Sequence, residues 1–336
     1  MNIEAVARRA NVSTATVSRT INGSDKVSPK TAALVMKAVE DLNFYPNTNA
    51  RALGTGRSNM FGLIISDITN PFFPELVKAF EDIAVEHGQE VLVANTNYDQ
   101  IRMEHCVGRM LQRKVDGVAI MTSEMDENLL RFFTNRGIPM VFLDNEMPSQ
   151  GISTIHVDYT AGIDRAVQHL TDLGHRNIAF ISGPIKLASA RTRADAFQSS
   201  MVSHRLQVHS YWLEEGDHRV EGGRDAMERI LAASPLPTAV IASNDLMAIG
   251  AMGAIHDRGL QVPEDISVIG CDDIQLSAFT QPALTTIHLP RALIATQAFE
   301  YLYECYRGKD KDIQPTPKPV IQPLLTVRKS TGPVRA

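Results

Sequence analysis

The stretch that decides the fold runs from Asn2 to Asn22 and has the sequence NIEAVARRANVSTATVSRTIN. Apolar residues recur at helical spacing in two runs, one over residues 3–10 and one over residues 15–21. Between the runs, Asn11-Val12-Ser13 forms a turn, and its serine hydroxyl can cap the second helix. Two helices joined by so tight a turn bury their apolar faces together and leave the start of the second helix protruding. This is the geometry of a helix-turn-helix, whose second helix reaches base edges in the major groove, although an αα-hairpin that caps a larger domain has the same pattern.

A third helix completes a small core. Asn22-Gly23-Ser24 ends the second helix, and Ser28 is placed to cap a helix that has Pro29 in its first turn. The apolar residues of this third helix are expected in the core: Ala32, Ala33, Val35, Met36, Val39 and Leu42. The next segment, residues 47–53, is polar, has helical spacing and is bounded by Pro46 and by glycines. Because about two turns are too short to be helical alone in water, this segment should fold only when something packs on it, which makes it a candidate switch.

The composition is that of an ordinary globular protein, with 44% hydrophobic and 21% charged residues over 336 positions. That length suffices for about two to three domains. The net charge of −5 conceals an asymmetry, because residues 1–57 carry +4 and the remainder carries −9. A basic head on an acidic body is typical of a modular nucleic-acid binder, although so small an excess also arises by chance.

The sequence contains no apolar run long enough to span a bilayer, and it begins with a helix rather than a leader peptide. Cys106, Cys271 and Cys305 are odd in number and widely separated, without metal-ligand spacing. They indicate reduced structural thiols. We therefore expect a cytoplasmic protein with no membrane segment, no bound metal and no cofactor.

From Met60 onward, short apolar strands alternate with longer amphipathic helices. Near-continuous apolar runs predict parallel strands covered on both faces, and they occur in two sets: residues 61–65, 91–94, 117–120 and 140–143, then 178–181, 239–242 and 267–270. Helices are predicted near residues 74–87, 101–113, 128–135, 161–173, 193–203, 222–232 and 246–258. The sequence therefore predicts an all-α head followed by an α/β body of two doubly wound parallel-sheet units, with a ligand cleft at the carboxyl ends of the strands.

The most informative motifs of the first sixty residues are Val6-Ala7, residues 11–19, Ile21-Asn22-Gly23, Val27-Ser28, residues 42–47, Ala50-Arg51, Leu53 and Gly56-Arg57-Ser58. With these motifs the chain resembles the lactose-repressor (LacI/GalR) family of bacterial transcription regulators, and the match continues at the same spacing to about Ser330. The resemblance implies a helix-turn-helix domain over residues 1–45, a hinge helix over 46–57, and an effector-binding and dimerisation domain of the periplasmic-binding-protein type over 58–336.

The same resemblance divides the body into two lobes. It implies an N-lobe of about residues 58–160 and 289–321, and a C-lobe of about residues 161–288 and 322–330. Three crossovers, near Thr160, Leu289 and Gln322, would join these lobes.

In that family the exposed early residues of the second helix contact bases, and Thr14, Ala15 and Arg19 occupy those positions here. Arg19 can donate two hydrogen bonds to guanine, and Ala15 can offer a methyl contact to thymine; a phosphate clamp is the alternative for Arg19. The resemblance also implies that the hinge helix pairs with its copy in a second subunit, where Leu53 wedges into the minor groove. Hydroxyl and amide side chains near the helix starts suit phosphates. The predicted DNA-binding set is Ser13, Thr14, Ala15, Thr16, Ser18, Arg19, Asn22, Ser28, Thr31, Ala50, Arg51 and Leu53.

Polar and aromatic residues follow the predicted strands. Aromatic rings can stack on the C–H faces of a sugar, and carboxylates that face a guanidinium suit a polyhydroxylated ligand. By resemblance the effector contacts are Phe72, Phe73, Asp144, Arg193, Asn244 and Asp272, with His288 as a further candidate. Each position has a structural alternative, because a strand-end aspartate can cap a helix, one of Arg191 and Arg193 can form a structural ion pair, and His288 can be a satisfied interior histidine.

Two departures from the family pattern bear on the effector. Leu187 stands where purine-responsive relatives carry an arginine, which argues against a purine. Cys271 stands where sugar-binding relatives often have an aromatic residue, so the stacking wall is thinner there. Together with the carboxylates, these residues favour a pentose, a hexose or a similar small polyol.

Three functions compete. The leading hypothesis is an effector-controlled DNA-binding repressor that acts as a homodimer on a near-palindromic operator of double-stranded DNA. An enzyme that uses Asp144 or Asp272-Asp273 as acid and base groups is the second, but no catalytic nucleophile, phosphate loop or metal cluster accompanies these residues. A sugar transport receptor is the third, and the basic head argues against it.

Overall fold

The computed structural model describes residues 2–21, 26–44, 57–122, 124–144, 151–308 and 319–335. The chain divides into two compact units, Met1–Asn59 and Met60–Ala336. Four of the predicted DNA-binding residues, Asn22, Ala50, Arg51 and Leu53, lie outside the described residues, as does the predicted hinge helix except for its last position. They therefore remain predictions.

The first unit contains helices α1 (Ile3–Ala10), α2 (Thr14–Ile21) and α3 (Pro29–Asp41). Asn11 ends α1 with a left-handed backbone (φ 51°), a conformation that asparagine tolerates better than most residues. Serine caps begin both following helices, because Ser13 Oγ accepts from Thr16 N at 3.1 Å and Ser28 Oγ accepts from Thr31 N at 3.2 Å. Both predicted caps are confirmed.

The core of the first unit is small and consists of Val6, Ala7, Val17, Val35 and Ala38. The predictions that Ala33 and Met36 belong to this core are wrong, because both residues are exposed, Met36 to 52%. The buried face of α3 contains Val35 and Ala38, with Val39 and Leu42 packed at its edge, whereas position 36 lies about 100° further round the helix. Three short helices around so few buried side chains make a unit of modest stability.

The second unit contains two sheets, and the first defines the N-lobe. Its five strands are all parallel and lie in the order β2-β1-β3-β4-β5, which is the order of a doubly wound fold. The strands are β1 (Met60–Ile65), β2 (Glu90–Asn95), β3 (Gly117–Met121), β4 (Met140–Leu143) and β5 (Ile152–Ile155). Helices α4 (Phe72–Glu86), α5 (Gln100–Arg113) and α6 (Glu127–Thr134) connect them. β5 was not predicted, because its central residues are polar.

The second sheet defines the C-lobe and has the order β11-β10-β9-β8-β6-β7. Its neighbours are parallel except for the pair β10 and β11. The strands are β6 (Ile178–Ser182), β7 (Leu213–Glu215), β8 (Ala239–Ala242), β9 (Ser267–Asp272), β10 (Thr285–His288) and β11 (Leu324–Thr326). The helices are α7 (Tyr159–Asp172), α8 (Ala188–Ser203), α9 (Val220–Ile230) and α10 (Asp245–Asp257).

The last helix, α11 (Arg291–Arg307), returns to the N-lobe. Its Phe299 ring contacts Phe61 of β1 and Phe80 of α4 edge-on, each at a centroid distance of 5.7 Å. The chain thus passes between the lobes three times: between β5 and α7, between β10 and α11, and just before β11. Among the described residues, no helix is both long and apolar enough to cross a membrane.

Candidate functional site

The first candidate site is the exposed face of α2. Thr14, Ala15 and Arg19 are exposed there, whereas Val17 points into the core. Ser13 and Ser28 are also exposed, but their hydroxyls already bond the first turns of α2 and α3. Thr16, Ser18 and Thr31 are partly buried. A helix face that offers a cation and small polar side chains to solvent has the form of a nucleic-acid contact surface.

The second candidate site is a cavity between the two lobes. Its residues come from the carboxyl ends of strands in both sheets, as expected for doubly wound folds. The lining residues are Ser66, Asn70, Phe72, Phe73, Tyr98, Met121, Thr122, Leu143, Asp144, Tyr159, Ser189, Arg193, His218, Asn244 and Asp272. The cavity therefore brings together six of the seven predicted effector residues.

One wall of the cavity is a chain of hydrogen bonds from Arg193 to Asp144. Arg193 donates to Tyr159 Oη and to the carbonyl of Ser243, each at 3.0 Å, and its guanidinium lies 4.5 Å from the Tyr159 ring centroid. The Tyr159 hydroxyl in turn donates to Asp144 Oδ2 at 2.8 Å. Val157 N–H donates to the other Asp144 oxygen at 2.8 Å. Burial raises the pKa of Asp144, and these two hydrogen bonds offset part of the rise.

Asp272 differs from Asp144, because no described residue donates a hydrogen bond to its carboxylate. It ends β9 with a left-handed backbone (φ 120°), which is unusual for a residue with a side chain and indicates a constrained position. Burial raises the pKa of Asp272 to about 8, although the Arg193 guanidinium acts in the opposite direction. Neither Asp144 nor Asp272 caps a helix, so the structural alternative does not apply to them. Asp272 is the acceptor that remains available to a ligand.

Asn244 lines the cavity, but its amide is already used on both sides. Its Oδ1 accepts from Met247 N at 2.9 Å and so caps α10, and its Nδ2 donates to the His218 carbonyl at 2.9 Å. Asn244 thus has the helix-capping role that was considered for the strand-end aspartates. Its contribution to the cavity is to fix His218.

Aromatic rings form much of the remaining wall. Phe72 and Phe73 are buried and lie edge to face at 5.2 Å. Tyr98 and His218 stack with a centroid distance of 5.7 Å and an interplanar angle of 28°. Burial lowers the pKa of His218 to about 3, and the nearby Arg193 and Arg219 add to this effect, so the ring is neutral at pH 7. Apolar ring faces beside carboxylates and a guanidinium suit a ligand with both C–H faces and hydroxyl groups.

The structure does not bring His288 to the cavity. His288 Nδ1 lies 2.8 Å from Asp273 Oδ2, and Arg328 donates to the other oxygen of Asp273 at 2.6 Å. The predicted contact between His288 and an effector is therefore corrected in favour of the alternative of a satisfied histidine. Arg191 is also outside the cavity, because it donates to the carbonyls of Ile185 and Lys186 at 2.8 and 3.1 Å.

The cavity residues that were not among the predicted effector contacts include Tyr98, Tyr159 and His218. Tyr98 follows β2, whose end was not searched for polar residues. His218 follows β7, a three-residue edge strand that was not predicted at all. Tyr159 begins α7 at a crossover, and only its bonds to Asp144 and Arg193 reveal its place in the site. A search of every strand end would have found Tyr98, but short edge strands leave too weak a periodicity to find His218.

Replacement of Asp272 should change the pH dependence of stability. The unfolded carboxyl titrates near pH 4, and the folded one near pH 8. Between these values the folded protein holds a proton that the unfolded chain has released, so the free energy of unfolding falls as pH rises. We expect Asp272→Asn to raise the thermal midpoint by several degrees at pH 8 and by much less at pH 5. The control is Asp225→Asn, which replaces an exposed aspartate. This account would be contradicted if Asp272→Asn raised the thermal midpoint equally at pH 5 and pH 8, or by no more than Asp225→Asn does.

The described residues contain no group of three or more histidine, cysteine or carboxylate side chains that could hold a metal. Cys271 lies buried beside the cavity, and burial raises the pKa of its thiol, which disfavours the nucleophilic thiolate. A helix-turn-helix unit joined to a two-lobed body with an interlobe cavity defines a class of protein, the ligand-controlled DNA-binding regulators.

Comparison with known proteins identifies the particular family. A family model described as bacterial regulatory proteins of the lacI family matches residues 2–47, and a periplasmic binding protein-like domain matches residues 167–331. The chain is 36% identical to the HTH-type transcriptional repressor PurR of Glaesserella parasuis over 98% of this chain and 97% of that one. The chain therefore belongs to the lacI family of bacterial regulatory proteins.

Solved structures agree with this assignment. A lac repressor dimer bound to operator and the anti-inducer ONPF has a TM-score of 0.86 at 30% identity, covering 99% of both chains. A complex of the transcriptional regulator CelR with cellobiose has a TM-score of 0.73 at 28% identity, covering 98% of this chain and 99% of that one. The predicted fold class and the predicted function are confirmed: the protein is an effector-responsive DNA-binding transcriptional regulator and not an enzyme.

Proposed function

We propose that the effector is an uncharged sugar or small polyol that binds in the interlobe cavity. The observation that carries this proposal is the state of the charged groups there. Both Nη groups of Arg193 already donate to Tyr159 and Ser243, whereas Asp272 has a free carboxyl. A phosphorylated ligand would bring negative charge beside Asp144 and Asp272, and both Nη groups of the neighbouring Arg193 are already bonded within the protein. Hydroxyl groups of a sugar can instead donate to Asp272 or accept from its proton.

Two further buried atoms support a polyhydroxylated ligand. Thr122 Oγ1 and Arg193 Nε have no hydrogen-bond partner in the described part of the chain, and both residues line the cavity. A buried polar atom without a partner is costly, so a ligand that supplies one is favoured. Phe72 can stack against the C–H face of the same ligand.

A planar nucleobase is the second candidate. Phe72, Tyr98 and His218 offer ring faces to a flat ligand, and a relative that is 36% identical is named PurR. Leu187 argues against it, because the side chain at this position is buried and apolar and cannot donate to a base. The uncharged sugar is therefore the better supported effector.

Thermal unfolding with a ligand panel tests the proposal, because a ligand that binds only the folded state raises the melting temperature. The panel contains pentoses, hexoses, sugar alcohols, the matching sugar phosphates and nucleobases. We expect a shift with one uncharged sugar or polyol and no shift with its phosphate. A shift with a nucleobase alone, or a larger shift with the phosphate, would overturn the proposal.

On the DNA side, the protein would act in the cytoplasm as a homodimer on a near-palindromic operator, with residues 46–57 as the link between head and body. The dimeric lac repressor bound to its operator, 30% identical to this chain, supports this arrangement. A dimer presents two copies of α2 about one helical turn of DNA apart. Effector binding would change operator affinity, and operator binding would change effector affinity by the same factor.

Arg19 is the exposed cation of α2, and its replacement tests the base-reading role. We expect Arg19→Ala to weaken operator binding by about 1–3 kcal/mol and to relax specificity at one base pair of each half-site. The control is Arg9→Ala on α1, whose guanidinium pairs with Asp41 at 2.8 Å. Binding to a set of operators with single base changes, at fixed salt, measures both variants. Uniform weakening by Arg19→Ala across the set would instead identify Arg19 as a phosphate contact.

A further inference from the structure

Two loops, one from each lobe, meet at a rim of the cavity and make two contacts, a group of polar side chains and a stack of two rings. Arg219 of the C-lobe donates to Asn97 Oδ1 of the N-lobe at 2.9 Å and lies 3.4 Å from Asp67 Oδ2. Beside it, the His218 ring stacks on the Tyr98 ring. Residues 97 and 98 of one lobe thus pair with residues 219 and 218 of the other. We call Asp67, Asn97, Tyr98, His218 and Arg219 the interlobe clasp.

The C-lobe half of the clasp is held by its own lobe. His218 has a left-handed backbone (φ 67°), and its carbonyl accepts from Asn244 Nδ2. Arg219 N–H donates to Asp217 Oδ1 at 2.8 Å. Position 183 must be glycine, because a Cβ there would lie 2.1 Å from the His218 ring. The lobe therefore holds His218 in a backbone conformation that costs energy and fixes Arg219 directly beside it.

The N-lobe half is built in the same way. Asn97 and Tyr98 both have left-handed backbones (φ 52° and 57°), and Asn97 N–H donates to the Ser66 carbonyl at 2.6 Å. Asp67 Oδ1 accepts from the N–H and the hydroxyl of Thr69 at 2.9 and 2.7 Å. These bonds leave Asp67 Oδ2 directed at Arg219. The side chain of Asp67 is only 6% exposed, and a buried carboxylate favours a cation beside it.

The clasp lies between the cavity and solvent. Tyr98 and His218 line the cavity, whereas the Arg219 side chain, one residue further on, is 42% exposed. Strained non-glycine residues that face each other across two lobes are a pattern found at ligand clamps. A half-exposed ion pair and one ring stack are weak enough to break and re-form during ligand exchange.

We propose that the interlobe clasp is a gate that closes one mouth of the cleft and so limits the effector to a molecule enclosed behind Tyr98 and His218. A ligand with a single ring can be enclosed there, whereas a second ring that passes through this mouth would have to displace Arg219. Arg219 is thus a specificity-determining residue. The limit on ligand size depends on the proposed sugar effector. The closure of the rim by the interlobe clasp does not depend on which ligand binds.

The closure is tested without any ligand. Hydrogen exchange of the full-length protein is compared between wild type, Arg219→Ala and Asn97→Gly, which breaks the same bond from the other lobe and suits a left-handed backbone. We expect the amides of residues 66–69 and 97–98 to exchange at least about threefold faster in both variants. The double variant should exchange no faster than Arg219→Ala alone, because loss of Arg219 already removes the bond to Asn97.

Arg224→Ala is the matched control. Arg224 lies on α9 with 48% side-chain exposure and pairs with Glu228 and Asp257 of its own lobe. Its loss should leave exchange in the N-lobe loops unchanged. Wild-type exchange rates in Arg219→Ala, or equal acceleration in Arg224→Ala, would overturn the gate.

The size limit is tested with ligands. Calorimetric titration compares monosaccharides with cellobiose on the wild type and on Arg219→Ala. We expect cellobiose to bind the variant at least about tenfold more tightly than it binds the wild type, a gain of about 1.4 kcal/mol. Equal cellobiose affinity for both proteins would overturn the size limit. If no sugar binds either protein, the proposed effector class fails, while the exchange measurement still decides whether the clasp closes the rim.

Discussion

Arg193→Ala should abolish the response to effector while the protein still binds its operator. Arg193 is the cation that faces Asp272 across the cavity and holds the Tyr159 hydroxyl on Asp144. Removal of one partner from a buried, hydrogen-bonded group of charges costs about 2–5 kcal/mol. We therefore expect effector affinity to fall by about 100-fold or more. Titration of the sugar identified by the thermal panel measures this loss, and operator binding without effector should change less than about threefold.

The matched control is Arg191→Ala, two residues earlier on the same helix. Arg191 is exposed and bonds only the carbonyls of Ile185 and Lys186. Its replacement removes the same charge from α8 without touching the cavity, so effector affinity should stay within about twofold of wild type. Similar losses in both variants would show that the net charge of α8, rather than the bonds of Arg193, determines effector binding.

Val35→Asp should remove operator binding altogether and leave effector binding intact. Val35 is fully buried in the core of the first unit. An unpaired buried carboxylate costs several kcal/mol, and a unit of this size has only about 3–9 kcal/mol of stability in total. The head should therefore unfold, and specific operator affinity should fall by about 1,000-fold or more. Because the chain divides into two compact units, the body should bind its effector within about twofold of wild type.

Leu34→Asp is the control for the added charge. Leu34 is adjacent to Val35 on α3, but its side chain is 52% exposed. The substitution adds the same negative charge near DNA without burying it, so only a modest, salt-dependent loss of operator affinity is expected. Loss of all specific binding in this control would show that charge on α3, and not the core, explains the effect of Val35→Asp.

Much of the head followed from local rules. The helical spacing of apolar residues, the two serine caps and a turn at Asn11 are all short-range features, and the structure has each of them. The error at Met36 arose because apolar character was counted without regard to the face of the helix. Ala38, which lies three residues after Val35 and on the same face of α3, is buried instead.

In the body, most central strands and the edge strand β2 were predictable, whereas the short edge strands β5, β7 and β11 were not. Strands covered on both faces need continuous apolar runs, so β1, β3, β6 and β8 stand out in the sequence. The short edge strands β5, β7 and β11 have no such requirement. Because β7 was not predicted, His218, which lies just beyond the end of that strand, was missed as well.

The sequence by itself determined that there are two doubly wound lobes behind a three-helix head, and that polar residues at the strand ends form the site. These follow from periodicity and from the direction of parallel strands, which are local properties of the chain. Only the tertiary structure decided which polar atoms are already used. Tyr159 donates to Asp144, Asn244 is used for a helix cap and for His218, and His288 is paired with Asp273. The carboxylate of Asp272 receives no hydrogen bond from the residues that the structure describes. Hydrogen bonds between residues far apart in sequence depend on distances that only the packing of both lobes sets, and no spacing along the chain encodes them.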